Sequence, residues 1–390
     1  MATVRFFIFL SLLSVASAAQ SHKAFELTDS LHEASGMATD GTYVWFINDS
    51  GNAPLLFEYK GETYMGAYPI AARNRDWEAL TMDREGNLFL CDIGNNRNDV
   101  PLRVIYKIDR NALNHSFKTL FPDTFSVYIP VGFPVSEAHR DYDWESCVYH
   151  SGHLHTFSKN RREHFDGEIV HFQLNHIYQK KDTAVARDTT HWGTLLRESY
   201  WITDATLSND RRHLFLLTSN AVLAFLDFPE DRFFEGYQMI FPLGDLSQKE
   251  AITAWNDSTL LIADERHPLL GGGNVYTLYV KRELEEYEAM RRAEVHLDSK
   301  VIDSTLTIRV EPIVTTKVYV TLYADNGTVV KQVSLGEAPS NELSEFVVDV
   351  NELPVGHYVL NVACGRIPHG FFLKKPFVSK TENQSIDQDK

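Results

Sequence analysis

Five times between Glu33 and Val280 an acidic residue leads a short apolar run, a polar turn and a second, denser apolar run. The segments are EASGMATDGTYVWFIND from Glu33, EALTMDREGNLFLCD from Glu78, ESCVYHSGHLHTFSK from Glu145, DATLSNDRRHLFLLT from Asp204 and EAITAWNDSTLLIAD from Glu250. Two apolar runs joined by turns such as Asp40-Gly41, Glu85-Gly86 or Ser151-Gly152 predict a β-hairpin. The second runs (LFLC, LFLL, LLIA) are dense enough to be strands buried on both faces. The leading acids stand 45, 67, 59 and 46 residues apart, room for about one four-stranded sheet each. LLFEYKG, YMGAYPI, RVIYKID, FSVYIPV, EIVHFQL, AVLAFLD and QMIFPLG supply further strands in the gaps. An all-β repeat of this kind, each sheet burying its faces only against its neighbours, predicts a β-propeller over residues 19–281. Five repeats imply five blades, and the longest gap leaves room for a degenerate sixth. The last repeat has EAITAW, TLLIAD and NVYTLYV but no clear fourth strand, so KAFELTD at 23–29 is expected to supply it and close the ring.

Beyond Val280 the pattern changes. RELEEYEAMRRAEVH is rich in helix formers and charge and predicts a helical linker over 282–298. STLTIRVE, KVYVTLYADNG, EFVVDVNELP, GHYVLNVACG and FFLKKPFVSK alternate again and predict a small β-sandwich over 299–380. The polar stretch TENQSIDQDK, 381–390, is expected to be disordered. At the other end, Arg5, the apolar FFIFLSLLSV and Ala16-Ser17-Ala18 make residues 1–18 a secretory signal peptide, and the mature chain a secreted or cell-surface protein. No later stretch is apolar for long enough to suggest a transmembrane helix.

A net charge of −16 argues against nucleic acid as a partner, since phosphates are neutralised by basic patches, and it fits cations or ligands held through one. The three cysteines, Cys91, Cys147 and Cys364, sit among apolar neighbours and read as small buried side chains. Their odd number leaves at least one unpaired, Cys91–Cys147 is the pairing considered, and no CxxC offers a cysteine zinc site.

Two resemblances follow. VYVTLYADNGTVVKQVSL, DVNELPVGHYVLNVACG and KKPFVSK resemble the C-terminal sorting domain of type IX secretion cargo in Bacteroidota, with Leu353 to Tyr358 as the most specific stretch. That resemblance implies delivery by the matching secretion machinery. The Tyr-Pro-Asn-Pro opening common in that family is absent here, and ten residues follow Lys380. INDSGN, NRDWEA and CDIGNNRN resemble secreted bacterial propellers grouped loosely with esterase-like phytases, which implies fold more than activity.

In a propeller the first strand of each blade lines the central channel, so an acid at its start stands at the channel mouth. Glu33, Glu78, Glu145, Asp204 and Glu250 are expected to form one ring there. Asp92 and Asp264, each 14 residues after a ring acid, are expected to join it. Ile47, Lys159 and Thr218 hold the same place in the other repeats. Crowded carboxylates must be protonated, paired with Lys159 or Arg97, or bound to a cation. All-oxygen ligation points to a divalent cation, calcium first. Such an ion could hold a small anionic or carbohydrate-like ligand in a binding or scaffold protein. It could instead serve a metal-dependent hydrolase of an ester, phosphoester or lactone, with Glu78, Glu145 or His267 as acid or base. Regucalcin-type lactonases place one divalent ion in such a channel, a fold-level analogy. The same acids could simply lock adjacent blades by accepting backbone hydrogen bonds. Residues that break the repeat are the expected ligand contacts: Asp76, Trp77, Trp144, Lys159, Glu265 and Arg266, with Asp143 beside them. Trp77 and Trp144 are otherwise packing residues between blades. A five-bladed glycosidase would use three central carboxylates, and Asp49, Asp76 and Glu145 stand in motifs that resemble theirs, although INDSGN ends a second strand where the glycosidase motif begins a first one. His150, His153 and His155 cluster at a hairpin turn, where a zinc site is the alternative to solvated side chains. No GxSxG elbow, Walker loop or strand-following GxGxxG is present.

Overall fold

The computed structural model describes residues 21–129, 140–174, 181–192, 200–244, 247–267, 271–365 and 367–376. The expected signal peptide and the tail after 380 lie outside these residues. The chain divides into two compact units at Val280 and Lys281.

The first unit is all-β and propeller-like. Its sheets are antiparallel meanders, each built from successive strands. The first sheet runs Ala34–Thr39, Tyr43–Asn48, Leu55–Lys60, Thr63–Pro69; the second Trp77–Met82, Leu88–Asp92, Leu102–Ile108, Asp123–Tyr128. The third runs Trp144–His150, His153–Ser158, Glu168–Leu174, Val185–His191; the fourth Asp204–Leu207, His213–Leu217, Ala221–Leu226, Tyr237–Pro242. The fifth holds Lys249–Asn256, Thr259–Asp264 and Asn274–Tyr279, and its outer strand is His22–Glu26 from the start of the chain, hydrogen-bonded to Asn274–Tyr279 as the KAFELTD reading expects. Each first strand lies against the first strands of two other sheets, the fifth against the first, so the five first strands form a ring.

Period-two alternation explains the outer strands, and uninterrupted apolar runs explain the second ones. Leu88–Asp92, His213–Leu217 and Thr259–Asp264 are buried at every position, because both faces meet a neighbouring sheet. Apolar clusters fill the wedges: Trp45, Ile47 and Tyr68 of the first sheet pack with Trp77, Leu80 and Leu90 of the second. Between the third and fourth sheets, Phe157, Leu214, Phe225 and Phe233 do the same. Gly36 has no room for a side chain, since a Cβ there would stand 2.7 Å from the Leu80 nitrogen. Cys91 and Cys147 share one wedge, and all three cysteines are buried free thiols, so the pairing considered from the sequence is not formed.

Two strands escape the sequence reading. Val185–His191 (VARDTTH) completes the third sheet although it is largely exposed and polar, an edge strand with little apolar alternation. Lys181–Thr183 adds a parallel fifth strand to the second sheet beside Asp123–Tyr128. Among the described residues the long gap after Glu78 yields one sheet, not two.

The second unit starts with the helix Lys281–Arg291. The linker expected over 282–298 is therefore shorter and already part of this unit: Glu294–Leu297 is a strand paired with Thr305–Glu311. Helix-forming composition predicts a helix there, but the apolar side chains of Val295 and Leu297 are drawn to the core, and tertiary pairing wins. Glu294–Leu297, Thr305–Glu311 and Ser344–Asp349 make one sheet; Val329–Ala338, Thr316–Ala324, Gly356–Cys364 and Ile367–Lys375 make another. Leu306, Ile308 and Val348 of one share a core with Val320, Leu360 and Leu373 of the other. Among the described residues no helix is long and apolar enough to cross a membrane.

Candidate functional site

The acids reach the mouth through a repeated backbone irregularity. In the second sheet Trp77 pairs with Asp92 and Ala79 with Cys91, leaving Glu78 as the extra residue of a bulge. Glu145 is the extra residue between Trp144 and Ser146, and Glu250 between Lys249 and Ala251. A bulge re-aims its side chain out of the strand's alternation. Glu78, Glu145 and Glu250 are thereby brought within electrostatic reach of common neighbours.

This register corrects the alignment of the repeats. In the first sheet the bulge falls at Ser35, between the pairs Ala34–Asn48 and Gly36–Ile47, so Glu33 lies two residues ahead of the ring position. Its carboxylate accepts from the Asn52 amide instead. Lys159 is not the counterpart of Asp92 either; Ser158 is, paired with Trp144 as Asp92 is with Trp77. Asp49, Lys159 and Glu265 are the true counterparts of one another: each follows a second strand and donates its backbone N–H to the segment entering the first strand, at Glu33, Asp143 and Gln248.

Several expected site residues turn out to hold the fold: the expected metal ligands Asp92, Asp204 and Asp264, and Asp143 beside them. Asp204, fully buried and without a bulge, accepts the N–H of Ile252 in the fifth sheet at 2.7 Å. Asp264 accepts from the backbone N–H of Asn274 at 2.7 Å and the Tyr276 hydroxyl at 2.8 Å. Asp92 pairs with Arg75 at 2.9 Å and accepts the Asp76 N–H at 3.1 Å. Asp143 accepts from Asn95 N–H at 2.7 Å and from Arg161 Nε at 2.6 Å. These four are locks, each with at least one carboxylate oxygen engaged, although Asp204 Oδ1 is buried without a partner.

Trp77 and Trp144 have no exposed surface and cannot serve as ligand platforms. Arg266 is tied to Asp29 and donates to the Leu27 carbonyl at 3.0 Å, and its backbone N–H is held by His32. His267 forms a two-way backbone bridge with Gly271, its N–H donating at 2.7 Å and its carbonyl accepting at 3.1 Å.

What remains is a cluster of carboxylates. Oxygens of Asp49, Asp76 and Glu78 all lie within 4.8 Å of one another. Gly94 makes the cluster possible: a Cβ at that position would stand 2.5 Å from Asp76 Oδ2 and closer still to Glu78 Oε1. The Asn74 amide donates to the carbonyls of Asn48 at 3.0 Å and Asp49 at 2.8 Å, tying the Asp49 loop to the start of the Trp77 strand. Beside the cluster Lys159 pairs with Glu145, and Arg161 reaches Glu145 at 3.3 Å. The Arg161 guanidinium lies 4.2 Å from the Trp201 ring centre and the Lys159 ammonium 5.3 Å. The cation that joins Lys159 at Glu145 is thus Arg161 rather than Arg97, and Arg75 lies 3.9 Å from Asp76 Oδ2. Gly94, Arg161 and Trp201 are absent from the sequence reading; Gly94 and Asp49 stand in the CDIGNN and INDSGN motifs, which are the signal that marks them.

Burial and mutual repulsion push these acids toward their neutral forms. Burial, then Glu145, Asp49 and Asp76, raises the Glu78 carboxyl well above its ordinary range. Asp49 rises to about 6, through burial and the nearby Asp76 and Glu33. Glu265 rises to about 7 through burial, Asp49 and Glu33. Glu145 also rises to about 7, burial outweighing the attraction of Lys159. Burial opposes the charge on Lys159, but Glu145 and Glu250 more than restore it and hold the ammonium protonated.

A pH dependence follows. Each raised carboxyl holds its proton in the folded state where the unfolded chain has lost it, so stability falls as pH rises. For Glu145 and Glu265 that window opens near the ordinary value of 4.5 and closes at about 7. Thermal unfolding of the metal-free chain, followed from about pH 5 to about pH 8, is expected to show the first unit losing stability as pH rises through about pH 7. A rise across that window would contradict this assignment of the acids.

Compared with known proteins, the chain matches no family model and no curated protein. Distant likenesses to solved structures exist. Exo-β-1,3-galactanase from Phanerochaete chrysosporium, with galactose, aligns at TM-score 0.40 and 11% identity over 91% of this chain and 98% of that one. Virginiamycin B lyase from Staphylococcus aureus aligns at 0.31 and 13%, covering 89% and 97%. The PQQ-bound aldose sugar dehydrogenase from Streptomyces coelicolor aligns at 0.40 and 9%, covering 66% and 97%. Likenesses this distant carry no information about activity.

Proposed function

We propose that the chain is an exported or surface-attached five-bladed β-propeller, followed by a C-terminal β-sandwich of the type IX sorting kind, that binds a divalent cation at the channel mouth. Asp49, Asp76 and Glu78 hold the cation, and the carrying observation is their convergence within 4.8 Å over the bare backbone of Gly94. Three hard carboxylate oxygens favour calcium over zinc. A small anionic or carbohydrate-like ligand completes the site, its negative groups meeting the cation, Lys159 and Arg161. The role is binding rather than catalysis, because Asp92, Asp143, Asp204 and Asp264 are consumed as locks and leave a narrow functional set.

One observation favours a second reading, metal-dependent hydrolysis of an ester, phosphoester or lactone. Glu145 and Glu265 titrate at about 7 beside the cluster, where a general base works best at neutral pH. The glycosidase reading gains no such support: Asp49 follows the second strand Tyr43–Asn48 rather than opening a first one.

Gly94→Ala tests the cation site. The added methyl must displace Glu78 and Asp76, so calcium affinity measured by calorimetry is expected to fall at least about tenfold, the scale of losing a supporting contact at a metal. Unchanged affinity would remove Asp76 and Glu78 from the site. Hydrolysis of a panel of phosphoesters and lactones, abolished by Glu265→Gln, would move the assignment to the second reading.

A further inference from the structure

The hairpin turns that join first strands to second strands lie at the end of the first unit opposite the mouth. Three of them, from the second, third and fourth sheets, line a cavity of about 220 Å³. Arg84 and Glu85 come from the second sheet's turn, Ser151 and Gly152 from the third's, and Arg211 from the fourth's, with His150 adding to the wall. The histidines of this region do not gather as a metal site. Among the described residues only Asp49, Asp76 and Glu78 bring three ligand atoms within 4.8 Å of one another.

The cavity's charge runs against that of the chain. Two arginines against one glutamate leave a positive wall in a protein of net charge −16. Arg211 is anchored by backbone alone: one Nη donates to the Tyr149 carbonyl at 2.7 Å, the other to the Met82 carbonyl at 3.0 Å. A guanidinium carries five N–H groups, so three remain on a charge that has no carboxylate partner among the described residues. Asp83 attracts it from a distance, but its two oxygens accept from the Asn87 N–H and side-chain amide, both at 2.8 Å. Arg84 is exposed and, among the described residues, has neither an ion pair nor a hydrogen bond. The two cations feel each other: burial, then the Arg84 charge, loosens the hold of Arg211 on its proton. Backbone geometry adds to the arrangement. Arg211 has a φ of 63°, in the left-handed region that glycine or asparagine adopts more easily. Ser151 and Gly152, at 49° and 86°, form a turn whose N–H groups make no backbone hydrogen bond among the described residues.

Like charges held together by neutral carbonyls, beside bare backbone N–H groups, make a receptor for an oxyanion. We propose that this cavity binds a phosphoryl group, with Arg84 and Arg211 forking onto its oxygens and the Ser151–Gly152 turn as a further donor. A phosphoryl group offers three terminal oxygens and nearly two negative charges, and guanidinium forks match that geometry bidentately. A carboxylate, with two oxygens and one charge, would leave donors idle. Space beside the turn, where a Cβ added to Gly152 would meet nothing within 4 Å, leaves room for an organic substituent on the phosphate. Glu85 is the one lining group that opposes an anion. The site shares no residue with the cation site at the mouth and needs no metal.

The test is calorimetric titration of the calcium-free full chain at low ionic strength with inorganic phosphate, phenyl phosphate and acetate, repeated as a thermal shift. Expected is one site for the two phosphates, with acetate bound more weakly. Arg84→Ala should weaken phosphate at least about tenfold, the scale of losing a charge-assisted hydrogen bond. The same variant should leave the melting temperature of the ligand-free chain unmoved, because the side chain is exposed and unpaired. Arg211→Lys, which keeps the charge and loses the fork, should also weaken phosphate, and Glu85→Gln should strengthen it. Equal affinity for the two phosphates would assign the free anion, and tighter phenyl phosphate a monoester; either supports the site. Absence of binding in both readouts, or binding indifferent to Arg84→Ala, would overturn the proposal. So would binding lost in Arg161→Ala, which would place the anion at the mouth instead.

Discussion

Lys159→Met is expected to destabilise the first unit by about 3–5 kcal/mol at about pH 8, the scale on which removing one partner leaves a buried charge uncompensated. The ammonium stands between Glu145 and Glu250 and over Trp201, and it is buried. Methionine keeps the aliphatic volume and removes only the charge. The abandoned carboxylates escape their repulsion by taking up protons, so the loss should shrink toward about pH 5. Glu145→Gln in the same background should recover part of the stability. Because a cation is also repelled by Lys159, calcium affinity should rise in this variant while calcium-free stability falls. Denaturant unfolding with and without calcium measures both. A loss below about 1 kcal/mol, or one independent of pH, would mean Lys159 acts as an ordinary surface pair.

Trp144→Ala should cost a similar amount, about 3–5 kcal/mol, for a different reason. The indole is fully buried, 5.0 Å from Phe172 between ring centres, with the Arg103 guanidinium 5.3 Å from its ring. Its removal opens a cavity in the wedge between the second and third sheets. Trp144→Phe should cost far less, since the indole nitrogen has no hydrogen-bond partner to lose. Calcium affinity should stay within about twofold in both variants, because neither ring touches the cation site. Lost ligand binding at preserved stability would restore the platform role.

Much of the fold is legible in the sequence, and the reason is periodicity. Second strands buried on both faces read as LFLC or LLIA, and the outer strand supplied by residues near the start of the chain reads from the missing fourth run. Strands whose register depends on the partner escape: Val185–His191 has little apolar alternation, and Glu294–Leu297 sits in helix-forming composition. The site is legible in kind but not in membership. Acids opening the first strands do gather at one end, yet counting from the Glu-Ala pair misplaces Glu33 by two residues, because a bulge is invisible to spacing. Asp204 and Asp264 look like Glu78 in sequence; only the neighbouring N–H groups of Ile252 and Asn274 reveal them as locks. Gly94 matters through the side chain it lacks, a role that composition cannot signal.

Whether Asp49, Asp76 and Glu78 hold a divalent cation is measured directly by the melting temperature of the full chain with excess calcium and with chelator. Ligand at about 100 times its dissociation constant adds about 2.7 kcal/mol, a shift of a few degrees for a unit of this size. Calcium is expected to raise the first unit's transition by that amount, and Glu78→Gln to abolish the rise. A transition unmoved by either calcium or chelator, or one still raised in Glu78→Gln, would contradict that assignment.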